Sequence, residues 1–308
     1  MTTRSPHASP AWSGYVFVIL AAVLWGSSGS AAKYLFTSGV TPFAMVQMRL
    51  SISATALFLG LLIHRPGLLR IDRRDIVYFI VFGAAGMAGV QFTYLFAISR
   101  IQVAAAILLQ YLAPGIIALH AVVFFRERLD AVTLLALASA FCGCYLVVGA
   151  YHLSLHEMDV WGIGSGILSA VCFAWYSIQG EHGMRKYSAW TVLFYALAFA
   201  AVTWNVLVPP LDGFLQSYRP QQWIWIGYVG ILGTLAPFGL YLEGVNRIRS
   251  TRASITATLE PITAAVISYL FLNEAMTWPQ AIGAGLVIAA VMLLQLRPKP
   301  SVAEPSTE

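Results

Sequence analysis

Charge is what this sequence has least of. Only 10% of its 308 residues are Asp, Glu, Lys or Arg, 59% are hydrophobic, and the mean hydropathy is +0.75. A soluble domain carries about a quarter charged residues to cover its surface. A water-soluble globule is therefore excluded, and the chain reads as one polytopic membrane domain in a lipid bilayer. Cysteine is also scarce. Cys142, Cys144 and Cys172 are the only three and all lie in apolar runs, so they read as buried thiols rather than a disulfide or zinc framework. His152, His156, Glu157 and Asp159 share one loop without further ligands, and no metal is assigned to them. A nucleotide-binding P-loop is missing, which argues against a primary pump. Paired Asp residues for Mg²⁺ and a His/Asp/Ser group at one membrane face are missing too, so an intramembrane enzyme is the weaker reading. The net charge of +5 is small and reflects orientation in a membrane rather than nucleic-acid binding. No cofactor is expected.

What the chain has instead is apolar length. Ten segments of roughly spanning size run over 14–36, 42–63, 76–97, 102–125, 131–149, 161–180, 189–208, 222–243, 252–272 and 279–296. No segment has strand periodicity, so an all-α fold is predicted. The first run is read as a spanning helix rather than a cleaved signal, and the polar, Pro-rich end after Arg297 as a disordered tail. With both termini in the cytoplasm, fourteen of the 18 Lys and Arg residues fall on the cytoplasmic side and only Arg100 and Arg219 on the other. Lys33 and Arg49 lie inside helices. This asymmetry supports ten spans.

The stretch Tyr94 to Glu127 returns 147 positions later as Tyr241 to Glu274, with ten identities in 34 gap-free positions, Pro114/Pro261 and Glu127/Glu274 among them. The chain is thus predicted to hold two related halves, 14–149 and 161–296. A tail (1–13), a linker (150–160) and a second tail (297–308) flank them. Five helices per half is an odd number, so the second half enters from the opposite face. The halves form an inverted pair, a frame that can open to either side in turn.

Several residues carry a family resemblance: Trp25-Gly26 with Lys33 eight residues after the Trp; Arg49 in the second helix; Pro114 followed by Glu127-Arg128-Leu129; and Glu260-Pro261 followed by Asn273-Glu274. With the helix count and the duplicated Pro…Glu spacing, these resemble the EamA-type members of the drug/metabolite transporter superfamily over about 14–296. The second half departs from the Trp-Gly pattern. It reads Phe173-Ala174 with a Trp at 175, so either Phe173 or Trp175 is the counterpart of Trp25. The resemblance implies secondary transport across a bacterial inner membrane, often efflux of amino acids or related small molecules. It also implies a central cavity lined by helices 1, 3, 4, 6, 8 and 9. Direction stays open, since uptake or exchange would use the same machinery.

Glu260 lies near the bilayer midplane, where a carboxylate costs about 2.5–3.5 kcal/mol. It is either a substrate-ammonium or proton-coupling group, or a structural acid paired with Arg49 or a backbone donor. Pro114 and Pro261 kink their helices and free the carbonyls of Gln110 and Ala257. Arg49 binds a substrate carboxylate or locks helices together, and Lys33 either joins it or snorkels to the interface. Polar and aromatic side chains on the cavity helices complete the set: Trp25, Ser28, Gln91, Tyr94, Gln110, Tyr111, Trp175, Tyr176, Gln179, Tyr241 and Thr258. Glu127 and Glu274, duplicated at helix ends, are candidate gate residues. Trp161, Trp190, Trp223, Trp225 and Trp278 are assigned to the interfacial belt.

Overall fold

In the absence of water, backbone polar groups must be satisfied within the chain, and the apolar segments form helices for that reason. A computed structural model describes residues 11–125, 130–153, 158–272 and 277–295. The helices are α1 (Ala11–Thr37), α2 (Pro42–His64), α3 (Arg73–Arg100), α4 (Val103–Phe124), α5 (Ala131–Val147), α6 (Val160–Gly183), α7 (Ala189–Leu207), α8 (220–248), α9 (250–272) and α10 (Trp278–Gln295). No strand occurs among the described residues. The protein is an all-α polytopic membrane protein.

Helix starts are set by side-chain caps. Thr41 accepts from the Ala44 amide ahead of Pro42, Asp130 from Thr133, Asp159 from Trp161 and Ser188 from Thr191. The eighth and ninth helices meet at a sharp kink rather than a loop: Arg249, with φ 69° and ψ 162°, lies outside helical geometry between them.

The two halves pack as an inverted pair. α1 lies against α8 and α9 as α6 lies against α3 and α4; α2 faces α7, and α5 faces α10. Exchanging each helix for the one five places away leaves this pattern unchanged. Close approaches repeat as well. A Cβ on Gly83 of α3 would sit 2.6 Å from Phe199 Cβ on α7, and one on Gly230 of α8 would sit 2.9 Å from Ile52 on α2. Gly14 meets Arg247 and Ile248 as Gly162 meets Arg100 and Ile101. That last register puts Phe173, not Trp175, opposite Trp25.

Both halves also interrupt their helices at matching places. α3 has a π-helical turn at Phe82–Met87 and α8 has one at Ile231–Leu235. α4 breaks at Tyr111–Leu112 and α9 at Thr258–Leu259, 147 residues apart. Large apolar side chains such as Ile63, Val123, Phe124 and Val206 are exposed around the outside. On a soluble protein they would form an aggregation-prone patch; here they face lipid. Trp161 and Trp278 are exposed near helix ends, whereas Trp190 packs on Gly239 and Trp223 on Phe214 and Tyr218.

The loop joining α2 to α3 docks on α7, where Thr191 and Tyr195 donate to the carbonyls of Leu68 and Leu69 at 2.8 and 2.7 Å. Lys186 pairs with Asp72 and, at 2.7 Å, with Asp75, and these carboxylates hold its ammonium above the ordinary lysine range.

α5 and α10 meet at Gly143 and Gly283, where a Cβ on Gly283 would sit 2.7 Å from the Gly143 carbonyl oxygen. Gly283→Ala is expected to destabilise the fold by about 1–3 kcal/mol, read as a lower midpoint of thermal unfolding in detergent. Gly285→Ala, whose Cβ would meet nothing within 4 Å, is expected not to.

Candidate functional site

The breaks in α4 and α9 face one another across the middle of the bundle and border a cavity of about 60 Å³. That is room for a few water molecules. The cavity is lined by Trp25, Ser28, Gly29 and Ala32 of α1, and by Val90, Gln91, Tyr94, Leu95 and Ile98 of α3. Gln110, Tyr111, Ala113 and Pro114 of α4, Phe173 of α6, Val229 and Phe238 of α8, and Ser254, Ala257 and Glu260 of α9 complete it. These are the helices the resemblance implied, with one addition from α2, Arg49. At one end the cavity adjoins, through Ile98, a vestibule of about 790 Å³ between the end of α1, the start of α2 and the α3–α4 turn.

Two opposite charges meet this space. Arg49 is buried and donates from Nε to Thr234 Oγ1 at 2.8 Å and from Nη2 to the Gly233 carbonyl at 3.2 Å. The Ser53 hydroxyl, one turn along α2, lies between the carbonyls of Arg49 at 2.6 Å and Gly230 at 2.7 Å, with one proton for the two. A π-turn displaces carbonyls from the regular ladder, and α2 supplies donors for them. Arg49 therefore joins α2 to α8, among the described residues without an acidic partner. Glu260 accepts from the Tyr111 hydroxyl at 2.9 Å. The same hydroxyl lies 3.4 Å from the Ala257 carbonyl, the group that Pro261 frees, so the shorter contact with Glu260 is the hydrogen bond. Behind the break, the Cys144 thiol approaches the Thr258 carbonyl at 3.8 Å. Among the described residues Arg49 and Glu260 form no ion pair, and Tyr94 lies within electrostatic reach of both.

An aromatic wall closes one side. Trp25 packs edge-on against Phe173 and Phe238, with ring centroids 6.1 and 5.0 Å apart. A Cβ on Gly26 would sit 2.7 Å from the Glu260 carbonyl oxygen, so the Gly after Trp25 lets α1 cross the broken part of α9.

The other predicted residues lie elsewhere. Trp175 packs on Gly86, Tyr176 stacks on Phe82 at 5.1 Å, and Tyr241 shares a 2.8 Å hydrogen bond with Ser177 behind the aromatic wall. Thr258 turns back to the Ile255 carbonyl at 2.6 Å, and Gln179 borders a separate pocket. Pro261 is buried next to the site without lining it. Glu127 and Glu274 lie outside the described residues, as do His156, Glu157 and the Lys33 side chain. Asp159 pairs with Arg100 at 3.3 Å. Phe238, Ser254 and Arg49's partner Thr234 were not anticipated. Nothing in the sequence marks them, since their positions depend on the π-turn in α8 and on the rotation of α9.

The model of the EamA-like transporter family matches residues 12–149 and 160–296, once for each half. The chain belongs to this family. An uncharacterized transporter of Archaeoglobus fulgidus is 30% identical over 91% of this chain and 95% of its own length. The uncharacterized inner membrane transporter YicL of Salmonella typhimurium is 28% identical over 92% and 95%. The threonine/homoserine exporter RhtA of Escherichia coli is 25% identical over 92% and 91%. A solved crystal structure superposes with a TM-score of 0.76 at 21% identity, covering 93% of this chain and 98% of that one, and it supports the fold alone.

Tyr111→Phe keeps the ring and removes the donor to Glu260. It is expected to cost about 1–3 kcal/mol, measured by thermal unfolding of the purified protein.

Proposed function

We propose that this transporter is a secondary carrier of small polar, zwitterionic, amino-acid-like solutes, exporting them by alternating access across a bacterial inner membrane with both termini in the cytoplasm. The reading rests on one observation: Arg49 and Glu260, of opposite charge, line a single cavity between the two half-breaks. A guanidinium suits a carboxylate, and a carboxylate at membrane depth suits an ammonium or a proton. The aromatic wall of Trp25, Phe173 and Phe238 suits a short apolar side chain. Freed backbone carbonyls at broken helices are where carriers of this design hold polar ligands. RhtA, an exporter of two amino acids, is a relative at 25% identity, which agrees with the class and the direction. No enzymatic role is proposed.

The test is flux from proteoliposomes loaded with amino acids and related solutes, with and without a pH gradient. Efflux of at least one zwitterion is expected. Arg49→Ala and Glu260→Ala are each expected to weaken its apparent affinity by about tenfold or more, the worth of one lost charge-assisted contact. Glu260→Gln is expected to abolish dependence on the pH gradient. Folded protein that moves no small solute would refute the carrier reading.

A further inference from the structure

On the side away from the vestibule the cavity is shut by a thin layer. Ala113 of α4 and Ser254 of α9 line the cavity, while Ile117 and Thr251, one turn away on the same helices, line a pocket of about 220 Å³ on the face that carries Arg185. One helical turn, about 5.4 Å, separates the two spaces. Glu181, in the last turn of α6, borders that outer pocket. It accepts from Arg249 Nε at 3.2 Å and from the Ser250 amide at 2.8 Å. Both donors belong to the α8–α9 link, and Ser250 begins α9.

Arg249 sits at φ 69° and ψ 162°, a backbone region occupied almost only by glycine. Such a conformation persists only where its surroundings impose it, and the Glu181 carboxylate supplies part of that constraint. The first turns of α9 are drawn against α6, and the residues that close the layer, Thr251 and Ser254, belong to those turns.

We infer that Glu181 is the latch of the gate on this face, a positioning residue for the transport cycle. It holds the strained α8–α9 link closed while the vestibule side is open. Opening this face moves α9 away from α6, breaks both bonds to Glu181 and lets Arg249 relax. The strain therefore opposes closure and the carboxylate favours it, so the two faces exchange without either conformation becoming a trap. The inference rests on alternating access in the proposed function but not on the identity of the solute.

The test uses the full chain with Cys142, Cys144 and Cys172 replaced by alanine and a single probe, Ser254→Cys. A membrane-impermeant maleimide is applied from either face of sealed vesicles. Glu181→Ala is expected to speed labelling from the Arg185 face by about tenfold, the worth of a charge-assisted bond, and to slow it from the vestibule face. Glu181→Gln is expected to lie between Glu181→Ala and the parent. Arg249→Gly and Arg249→Ala both lose the guanidinium, but only glycine relieves the strain. Arg249→Gly is expected to label about tenfold more slowly from the Arg185 face than Arg249→Ala. Equal rates in the two Arg249 variants, or Glu181 variants that label faster from both faces alike, would overturn the latch. If Glu181→Ala does not fold, Glu181→Gln and the Arg249 pair decide. Labelling needs no transported solute, so the latch and the substrate reading fail separately.

Discussion

Hydrocarbon offers no partner to a backbone N–H or C=O, and an unpaired group there costs several kcal/mol. The architecture follows from how the chain meets that constraint where its helices are interrupted. Among the described residues the ladder is disturbed by π-turns in α3 and α8 and by breaks in α4 and α9. Side chains from neighbouring helices cover several of the exposed groups. Arg49 and Ser53 reach the carbonyls of Gly233 and Gly230, and Cys144 approaches that of Thr258. Irregular backbone is tolerated at membrane depth where protein or a watery cavity surrounds it.

Symmetry and asymmetry divide the work. The interruptions, the helix pairings and the close glycine contacts recur in both halves, giving the frame two equivalent ways to pack. The charges do not recur. Shifted by 147 positions, Glu260 falls on Ala113 and Arg49 on Ala196. Tyr111, which holds Glu260, corresponds to Thr258, which only caps its own helix. A symmetric frame can exchange sides; under the proposed function, the asymmetric pair of charges would give a zwitterion one preferred orientation.

Much of the fold was legible because apolar length and Lys/Arg placement are one-dimensional signals. The breaks at 111–112 and 258–259 followed from Pro114 and Pro261. The tight kink at Arg249 did not, because six polar or charged residues in 246–252 resemble an ordinary loop. Within the site, residue type and helix assignment were readable, but rotation about the helix axis was not. A helix that is apolar all round carries no amphipathic stripe to say which face is inward. Trp175, Tyr176 and Tyr241 therefore lie on cavity helices yet pack behind the cavity wall. Glu260 and Tyr111 both line the cavity, the first directly before Pro261 and the second three residues before Pro114, so a proline ties each to a break. Arg49 was recognisable as a buried cation, but its partners in a π-turn left no mark in the sequence.

The central claim is that one cavity recognises both ends of a zwitterion, with Arg49 at the carboxylate and Glu260 at the ammonium. Binding to purified protein can be compared for an amino acid, its amide and its N-acetyl derivative, in the parent and in Arg49→Ala and Glu260→Ala. The account predicts that each derivative binds at least about tenfold more weakly than the amino acid in the parent. It further predicts that removing Arg49 erases the penalty for the amide alone, and removing Glu260 the penalty for the N-acetyl derivative alone. Equal binding of all three to the parent would contradict it.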